Sequence, residues 1–204
     1  MKIVTVLRSG GDFAPEHVQM LHKQVMRWAP KDTEFLCLSD ELVPGIKIHR
    51  LEHNLPGWWA KMEIFRSDIE GHILYMDLDT IVCGPIVDFL APRSFTALHD
   101  ARSTQQFGGG LMSIPEKGRR QIWEDWSINP QGHMRKFDWP QGRVDQEFLQ
   151  PYYPNFQCWE KELPGQAVRI ESRCDADIPQ GARILVFWGK PRPWYHRSFR
   201  RFYQ

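Results

Sequence analysis

The strongest constraint on this chain is a strand that ends on two acids. Gly71 to Gly84 reads GHILYMDLDTIVCG, and its Ile73, Leu74, Tyr75 and Met76 form a short apolar run with β-forming character. Glu70-Gly71 punctuates its start and Gly84-Pro85 ends the segment that follows. The run reads as a buried strand that delivers Asp77 and Asp79 at its carboxyl end. Side chains two apart in extended chain share one side, and two carboxylates that close repel unless a cation sits between them. Hard oxygen ligands of this kind suit Mg²⁺ or Mn²⁺. A surface turn with both acids solvated is the competing reading. The central character of the strand and the apolar Leu78 between the acids favour the metal.

Strands and helices alternate around this segment. Lys2 to Leu7 reads as a first buried strand, and Ser9-Gly10-Gly11-Asp12 turns the chain. Pro15 opens a helix carrying Val18, Leu21, Val25 and Trp28 at helical spacing, closed by Ala29-Pro30. Glu34 to Leu38 and Ile46 to Leu51 read as strands, and about Trp58 to Asp68 as a helix. Such alternation predicts a mostly parallel α/β sheet, whose ligands bind beyond the carboxyl ends of the strands. The second half is less regular. Phe95 to Leu98 reads as a strand, and Phe107 to Ile114 as a glycine run entering another. A helix carries Ile122, Trp123 and Trp126. Ser127 to Gly142 reads as a long loop, Val144 to Leu149 as a short helix, and Ile184 to Phe187 as a last strand. No repeat or linker interrupts the chain, which implies a single domain.

At 204 residues and 42% hydrophobic content the chain is long and apolar enough for one good core. The formal net charge of +1 supplies no field to draw it to nucleic acid, so none is expected as a partner. The five-residue apolar run before Arg8 is too short for a signal-peptide core, and no stretch approaches membrane-spanning length. Cys37, Cys83, Cys158 and Cys174 are scattered without metal-ligand spacing; reduced thiols in a cytoplasmic protein are the simplest account. Most of the nine tryptophans are expected in the core, although Trp faces also stack on sugars.

Further stretches carry chemical promise. Gly108, Gly109 and Gly110 remove side chains and let backbone approach a ligand, or make a tight turn before a strand. Asp145-Gln146-Glu147 follows Gly142 and opens a helix, where an acid is either a cap or a functional group. In Trp188-Gly189-Lys190-Pro191-Arg192-Pro193-Trp194, two cations bracket stiffening prolines; cations so placed can neutralise a diphosphate leaving group. Lys61, in WWAKMEIFR, either meets a ligand or lies on a solvated helix face. From Lys190 to Gln204 basic residues mix with Trp194, Tyr195, Phe199, Phe202 and Tyr203. That tail either packs on the domain or makes peripheral contact with an anionic membrane surface, such as the inner membrane face.

Tyr75-Met76-Asp77-Leu78-Asp79-Thr80 resembles the Asp-X-Asp segment of nucleotide-sugar glycosyltransferases with the GT-A fold. It is most similar to the galactosyltransferase and glycogenin group (family 8) and its small bacterial and phage relatives. The glycine run resembles that group's segment facing the donor sugar, with Gly108 where an Asn is usual, so that Ser103, Gln105 or Gln106 would replace its hydrogen bond. Asp145-Gln146 is similar to the group's Asp-Gln-acid motif, and Gly189 to Trp194 to its basic-proline tail. The resemblance covers nearly the whole chain in order. It implies a single-domain α/β GT-A fold, with residues up to about 84 as a Rossmann-like nucleotide-binding half and the rest as an acceptor-side half. It implies transfer from a nucleotide-diphosphate donor, a UDP-sugar, to a glycan, lipid-linked or protein acceptor, with Mn²⁺ or Mg²⁺ on Asp77 and Asp79 and retention at the anomeric carbon. Val6, Lys61, Asp77, Asp79, Gly109, Gly110, Gly189, Lys190 and Arg192 would hold the donor. Asp145 and Gln146 would act catalytically. The histidine that usually completes the metal shell is missing: Val186 and Trp188 occupy its candidate positions. With the vacancy open, either water fills it or His196 swings in; prolines and Trp194 in between favour water. Two other readings stand beside this one. A nucleotidyltransferase should carry a basic glycine-rich loop after its first strand, of which Arg8-Ser9-Gly10-Gly11 is a faint version. A carbohydrate-binding module would use the tryptophans and need no paired acids.

Overall fold

The computed structural model describes residues 1–92, 94–137, 145–173 and 177–203. Strands β1 (Lys2–Leu7), β2 (Glu34–Ser39), β3 (Ile48–Arg50) and β4 (Ile73–Met76) lie parallel. After the short β5 (Ile81–Val82), β6 (Thr96–Asp100) and the long β7 (Ser103–Ile114) form an antiparallel pair, and β7 also runs antiparallel to β4. The two-residue β8 (Gln157–Cys158) closes the edge, giving the order β3-β2-β1-β4-β7-β6-β8. β9 (Ala167–Glu171) and β10 (Ile184–Trp188) join β5 in a second, three-stranded sheet of order β5-β10-β9. The mostly parallel α/β sheet follows from the apolar runs. β4 is buried along its whole length, as expected for a strand covered on both faces.

Period-two alternation divides the core. Val4, Ile73 and Tyr75 join one apolar cluster with Trp59, Met112 and Trp126. Ile3, Leu7, Leu74 and Met76 join another with Leu21 and Trp159. The chain leaves β1 for β2 on one side and later returns to β4 on the other, so the strand order reverses between β1 and β4. In such sheets the crevice beyond the carboxyl ends at that point is where ligands bind, and Asp77 follows β4 there. Helix α1 (Pro15–Trp28) starts on its proline and buries Val18, Leu21 and Val25.

Several elements depart from the sequence expectation. The segment expected to be helical from Trp58 to Asp68 is a 3₁₀ helix over Gly57–Phe65, buried from Trp59 onward, Lys61 and Glu63 included. Helix α2 (Arg119–Ile128) is followed by α3 (Pro130–Phe137), where a loop was expected. Its signal was the Asn129-Pro130 pair: the Asn129 carboxamide accepts from the Gly132 N–H at 2.9 Å, an N-cap followed by a first-turn proline. The remainder of that expected loop, Trp139 included, lies outside the described residues. The three glycines fall inside β7 and do not merely precede it. The β5 and β9 strands, short or only half apolar, gave no sequence signal.

Most tryptophans are where a core needs them. Trp59 and Trp126 stack at 5.2 Å, and Trp159 is buried, whereas Trp58 and Trp188 are exposed. The C-terminal tail packs back on the domain. Phe199 is fully buried, Trp194, Phe202 and Tyr203 are half-buried, and Gln24 donates to the Phe202 carbonyl at 2.8 Å. Among the described residues, no helix is long and apolar enough to cross a membrane.

Candidate active site

Asp77 and Asp79 do not lie in extended chain. The Asp77 N–H donates to the Gly110 carbonyl at 2.9 Å, and the Thr80 N–H to the Asp77 carbonyl at 3.0 Å, closing a turn over the end of β4. Each carboxylate therefore meets a different cation. Asp77 Oδ1 takes the Tyr75 hydroxyl at 2.5 Å and the Lys61 ammonium at 3.0 Å. Asp79 Oδ2 takes Arg192 Nη1 at 2.6 Å, while the buried Asp79 Oδ1 has no hydrogen-bond partner among the described residues. Burial, reinforced by the neighbouring Asp77 charge, raises the Asp79 carboxyl to about 7 despite the pull of Arg192.

Lys61 is the hub of the inner wall. Its ammonium lies 3.0 Å from Asp77 Oδ1, 3.5 Å from Asp145 Oδ2 and 3.2 Å from the Gly109 carbonyl, and sits over the Tyr75 ring. A solvated helix face is excluded. Burial by itself lowers its proton affinity, but the two carboxylates outweigh that and hold the ammonium charged. Asp145 opens helix α4 (Asp145–Leu149) with its carboxylate turned onto Lys61; burial raises its pKa, and Lys61 opposes the rise. Gln146 follows it onto the glycine run. With its amide oriented to satisfy both neighbours, it donates to the Phe107 carbonyl at 3.0 Å and accepts from the Gly109 N–H at 3.2 Å.

The glycines explain how these groups come so close. A Cβ on Gly109 would stand 3.1 Å from Gln146 and 3.3 Å from the Lys61 ammonium, and one on Gly110 only 2.6 Å from Val186 Cγ1 and 3.4 Å from Asp77 Oδ2. Gly110→Ala is thus expected to destabilise by about 1–3 kcal/mol through overpacking. Adding Val186→Ala should restore much of the loss in thermal melting; an equally unstable double variant would mean the clash lies elsewhere. In front of the glycines opens a cavity of about 360 Å³ lined by Asp77, His99, Asp100, Arg102, Gln146 and Trp188, among others. Ser103, Gln105 and Gln106, expected to stand in for the missing Asn, are not among its lining residues; His99, Asp100 and Arg102 are.

The basic-proline segment reaches the acids through Arg192, which holds Asp79. Gly189 takes a left-handed φ of +87°, which turns the chain after β10. Lys190 and Arg192 then converge on Asp12, at 2.9 Å and 3.2 Å, and the Arg192 guanidinium lies over the Phe13 ring. Asp12 is the residue sequence reasoning missed; its only signal was a place in the glycine turn after β1. The His196 ring stands edge-on to Phe199, and Trp188 lines the cavity. Val6 is half-buried against the core near the end of β1. Arg8 and Ser9 are tied to Asp40: Arg8 at 2.5 Å, and the Ser9 N–H at 2.9 Å. The loop after β1 is therefore anchored to the end of β2.

No protein-family model and no curated sequence matches the chain. Solved structures do. It is similar to the glycosyltransferase GlyE of Streptococcus pneumoniae TIGR4, with a TM-score of 0.69 at 13% identity over 99% of this chain and 59% of that one. A second similar structure is the galactosyltransferase LgtC in complex with donor and acceptor sugar analogues, with a TM-score of 0.66 at 15% identity, covering 99% of this chain and 94% of LgtC. The bifunctional glycosyltransferase WbbM matches at 0.63 and 11% identity over 48% of its length. The chain thus spans just over half of GlyE and nearly all of LgtC, and its fold is the GT-A type of these glycosyltransferases.

Proposed function

We propose that this protein is a glycosyltransferase that moves a sugar from a nucleotide-diphosphate donor, a UDP-sugar, to a hydroxyl of a glycan, lipid-linked or protein acceptor. The observation that carries the reading is the buried Asp79. Among the described residues its Oδ1 has no partner, Asp77 lies beside it, Arg192 holds its other oxygen, and Lys190 joins Arg192 on Asp12. A buried carboxylate oxygen without a partner is costly unless a ligand completes it, and an acid pair of this kind fits Mn²⁺ or Mg²⁺. Asp77 and Asp79 would hold that cation, which supplies charge neutralisation to a departing diphosphate.

This chain's own residues supply the rest. Arg192 and Lys190 exchange Asp12 for the donor's diphosphate, since an anion with more charge competes for the same donors. Lys61 holds Asp77 and Asp145 in place. The bare backbone at Gly109 and Gly110 admits the sugar, with Gln146 at its edge. Asp145 orients the acceptor or stabilises positive charge at the sugar. Val6 and Gly189 border the donor. Retention at the anomeric carbon belongs to the same reading, and the cations of the tail are its candidates for contact with an anionic membrane.

A screen of nucleotide-sugars for hydrolysis, with and without Mn²⁺ or Mg²⁺, tests the proposal. Metal-stimulated release of UDP from one donor is expected; calorimetry that detects no UDP binding in the presence of metal would sink it and favour a carbohydrate-binding module. Arg192→Ala should weaken UDP binding by about 1.5–3 kcal/mol, the scale of a charge-assisted hydrogen bond, and leave uridine almost untouched. Equal losses for UDP and uridine would refute the phosphate role.

A further inference from the structure

At the far edge of the sheet, β8 pairs with β6 so that Cys158 stands beside Ala97. β6 carries two register irregularities, one between Ala97 and Leu98 and one between His99 and Asp100. Bulges re-aim side chains and recur next to sites. Here Cys158 Sγ comes to 3.1 Å from His99 Nδ1 and 2.6 Å from Glu160 Oε2, with Glu160 Oε1 3.6 Å from the same His99 nitrogen. Supporting contacts hold each group. The His99 N–H donates to Glu160 Oε1 at 3.1 Å, Arg169 donates to the His99 carbonyl, and the His99 ring stands edge-on to Phe156. Cys158 is buried, and His99 and Glu160 are half-buried. A thiol, an imidazole nitrogen and a carboxylate thus gather from β6, β8 and helix α5 (Trp159–Glu162), their ligand atoms all within 4.8 Å of one another.

We propose that His99, Cys158 and Glu160 form a second metal site, selective for a borderline cation such as Zn²⁺ and separate from the Asp77–Asp79 pair. The donor set argues for that class. Thiolate and imidazole select Zn²⁺ over Mg²⁺ and Mn²⁺, which prefer all-oxygen sites. Zinc bonds of about 2.0–2.3 Å at tetrahedral angles separate ligand atoms by roughly 3.3–3.7 Å. The 3.1 Å between Cys158 Sγ and His99 Nδ1 lies close to that range; Glu160 approaches Sγ through Oε2 at 2.6 Å and Nδ1 through Oε1 at 3.6 Å, so a small shift of its carboxylate lets one oxygen meet the same ion. Three protein ligands leave a fourth position for water or another ligand. The ion would staple a two-residue edge strand to the sheet. Because His99 also lines the 360 Å³ cavity, it would stiffen that wall. Nothing in this site depends on the glycosyltransferase reading.

The test is metal binding by the whole chain. After chelation and dialysis against Zn²⁺, one ion per chain is expected to remain. Co²⁺ in its place should give a thiolate-to-cobalt charge-transfer band and tetrahedral visible bands. Cys158→Ser should abolish the charge-transfer band and weaken Zn²⁺ by more than about 100-fold, the upper end for losing only an outer partner. Asp79→Asn should change neither. Zn²⁺ binding that survives Cys158→Ser, or a wild-type cobalt spectrum without the thiolate band, overturns the proposal. Should Cys158→Ser fail to fold, His99→Ala carries the same test, and an unchanged cobalt spectrum in that variant overturns it equally.

Discussion

Replacing Lys61 by methionine is expected to destabilise the protein by about 3–5 kcal/mol, because it leaves the buried Asp145 and the half-buried Asp77 without their cation. The ammonium is 7% exposed as a residue and bridges Asp77 at 3.0 Å and Asp145 at 3.5 Å. Methionine matches its length but none of its charge. The loss should depend on pH. Burial already raises the Asp145 carboxyl above its usual 3.8, and without Lys61 it rises further. Between the unfolded and folded values the folded state holds protons that the unfolded state has released, so stability falls as pH rises through that window. Urea unfolding should accordingly show a larger defect at pH 8 than at pH 5. Adding Asp145→Asn should recover part of it, since the two groups are coupled. A loss below about 1 kcal/mol at both pH values would show that the triad contributes little beyond an exposed ion pair.

Asp79→Asn should move activity and stability in opposite directions. Sugar transfer is expected to fall by about 10²–10³-fold, the usual cost of removing one preorganised electrostatic contact. Stability without metal or nucleotide should improve relative to the wild type as pH rises. The Asp79 carboxyl sits at about 7 in the folded protein against an ordinary value of 3.8. Over that window the folded state keeps a proton the unfolded state lacks, so the wild type loses stability with rising pH, on the order of 1.4 kcal/mol per unit where the difference is full. Asparagine has no proton to lose. The variant-minus-wild-type difference, measured from pH 4.5 to 7.5, should therefore grow in the variant's favour. A flat difference would place Asp79 in an ordinary surface pair, and full transfer activity in the variant would end its assignment to the donor site. Opposed changes of this kind mark a group kept for function at a cost in stability.

Local pattern carried the frame of this protein. The apolar runs at Ile3 and Ile73, the proline that opens α1 and the alternation of strand and helix determined a parallel sheet with Asp77 and Asp79 at its carboxyl edge, because each depends on residues a few positions apart. The same reasoning found the glycines at 108–110 and the cations at 190 and 192 as candidate contacts. It missed α3, where Asn129 and Pro130 looked like loop residues and were in fact a cap. It also read the Trp58–Asp68 helix too long, because a segment buried all round has no solvent face to give it periodicity.

Only the tertiary structure decided which partner each charged group meets. Asp12 reaches Lys190 across 178 residues, Asp79 reaches Arg192 across 113, and His99 reaches Cys158 across 59. None of these separations leaves a trace in local spacing. Each exists because β7 inserts beside β4, β8 attaches to β6, and β10 turns back over the first half of the chain. The buried state of Lys61 was undecidable for the same reason: its two carboxylates come from the turn after β4 and from α4, and the carbonyl it donates to comes from a glycine strand that a Cβ would have kept at a distance. The residue types set what chemistry was available. Strand order and bare backbone set which groups could act together, since buried charges persist only where the fold brings their counter-charges within contact.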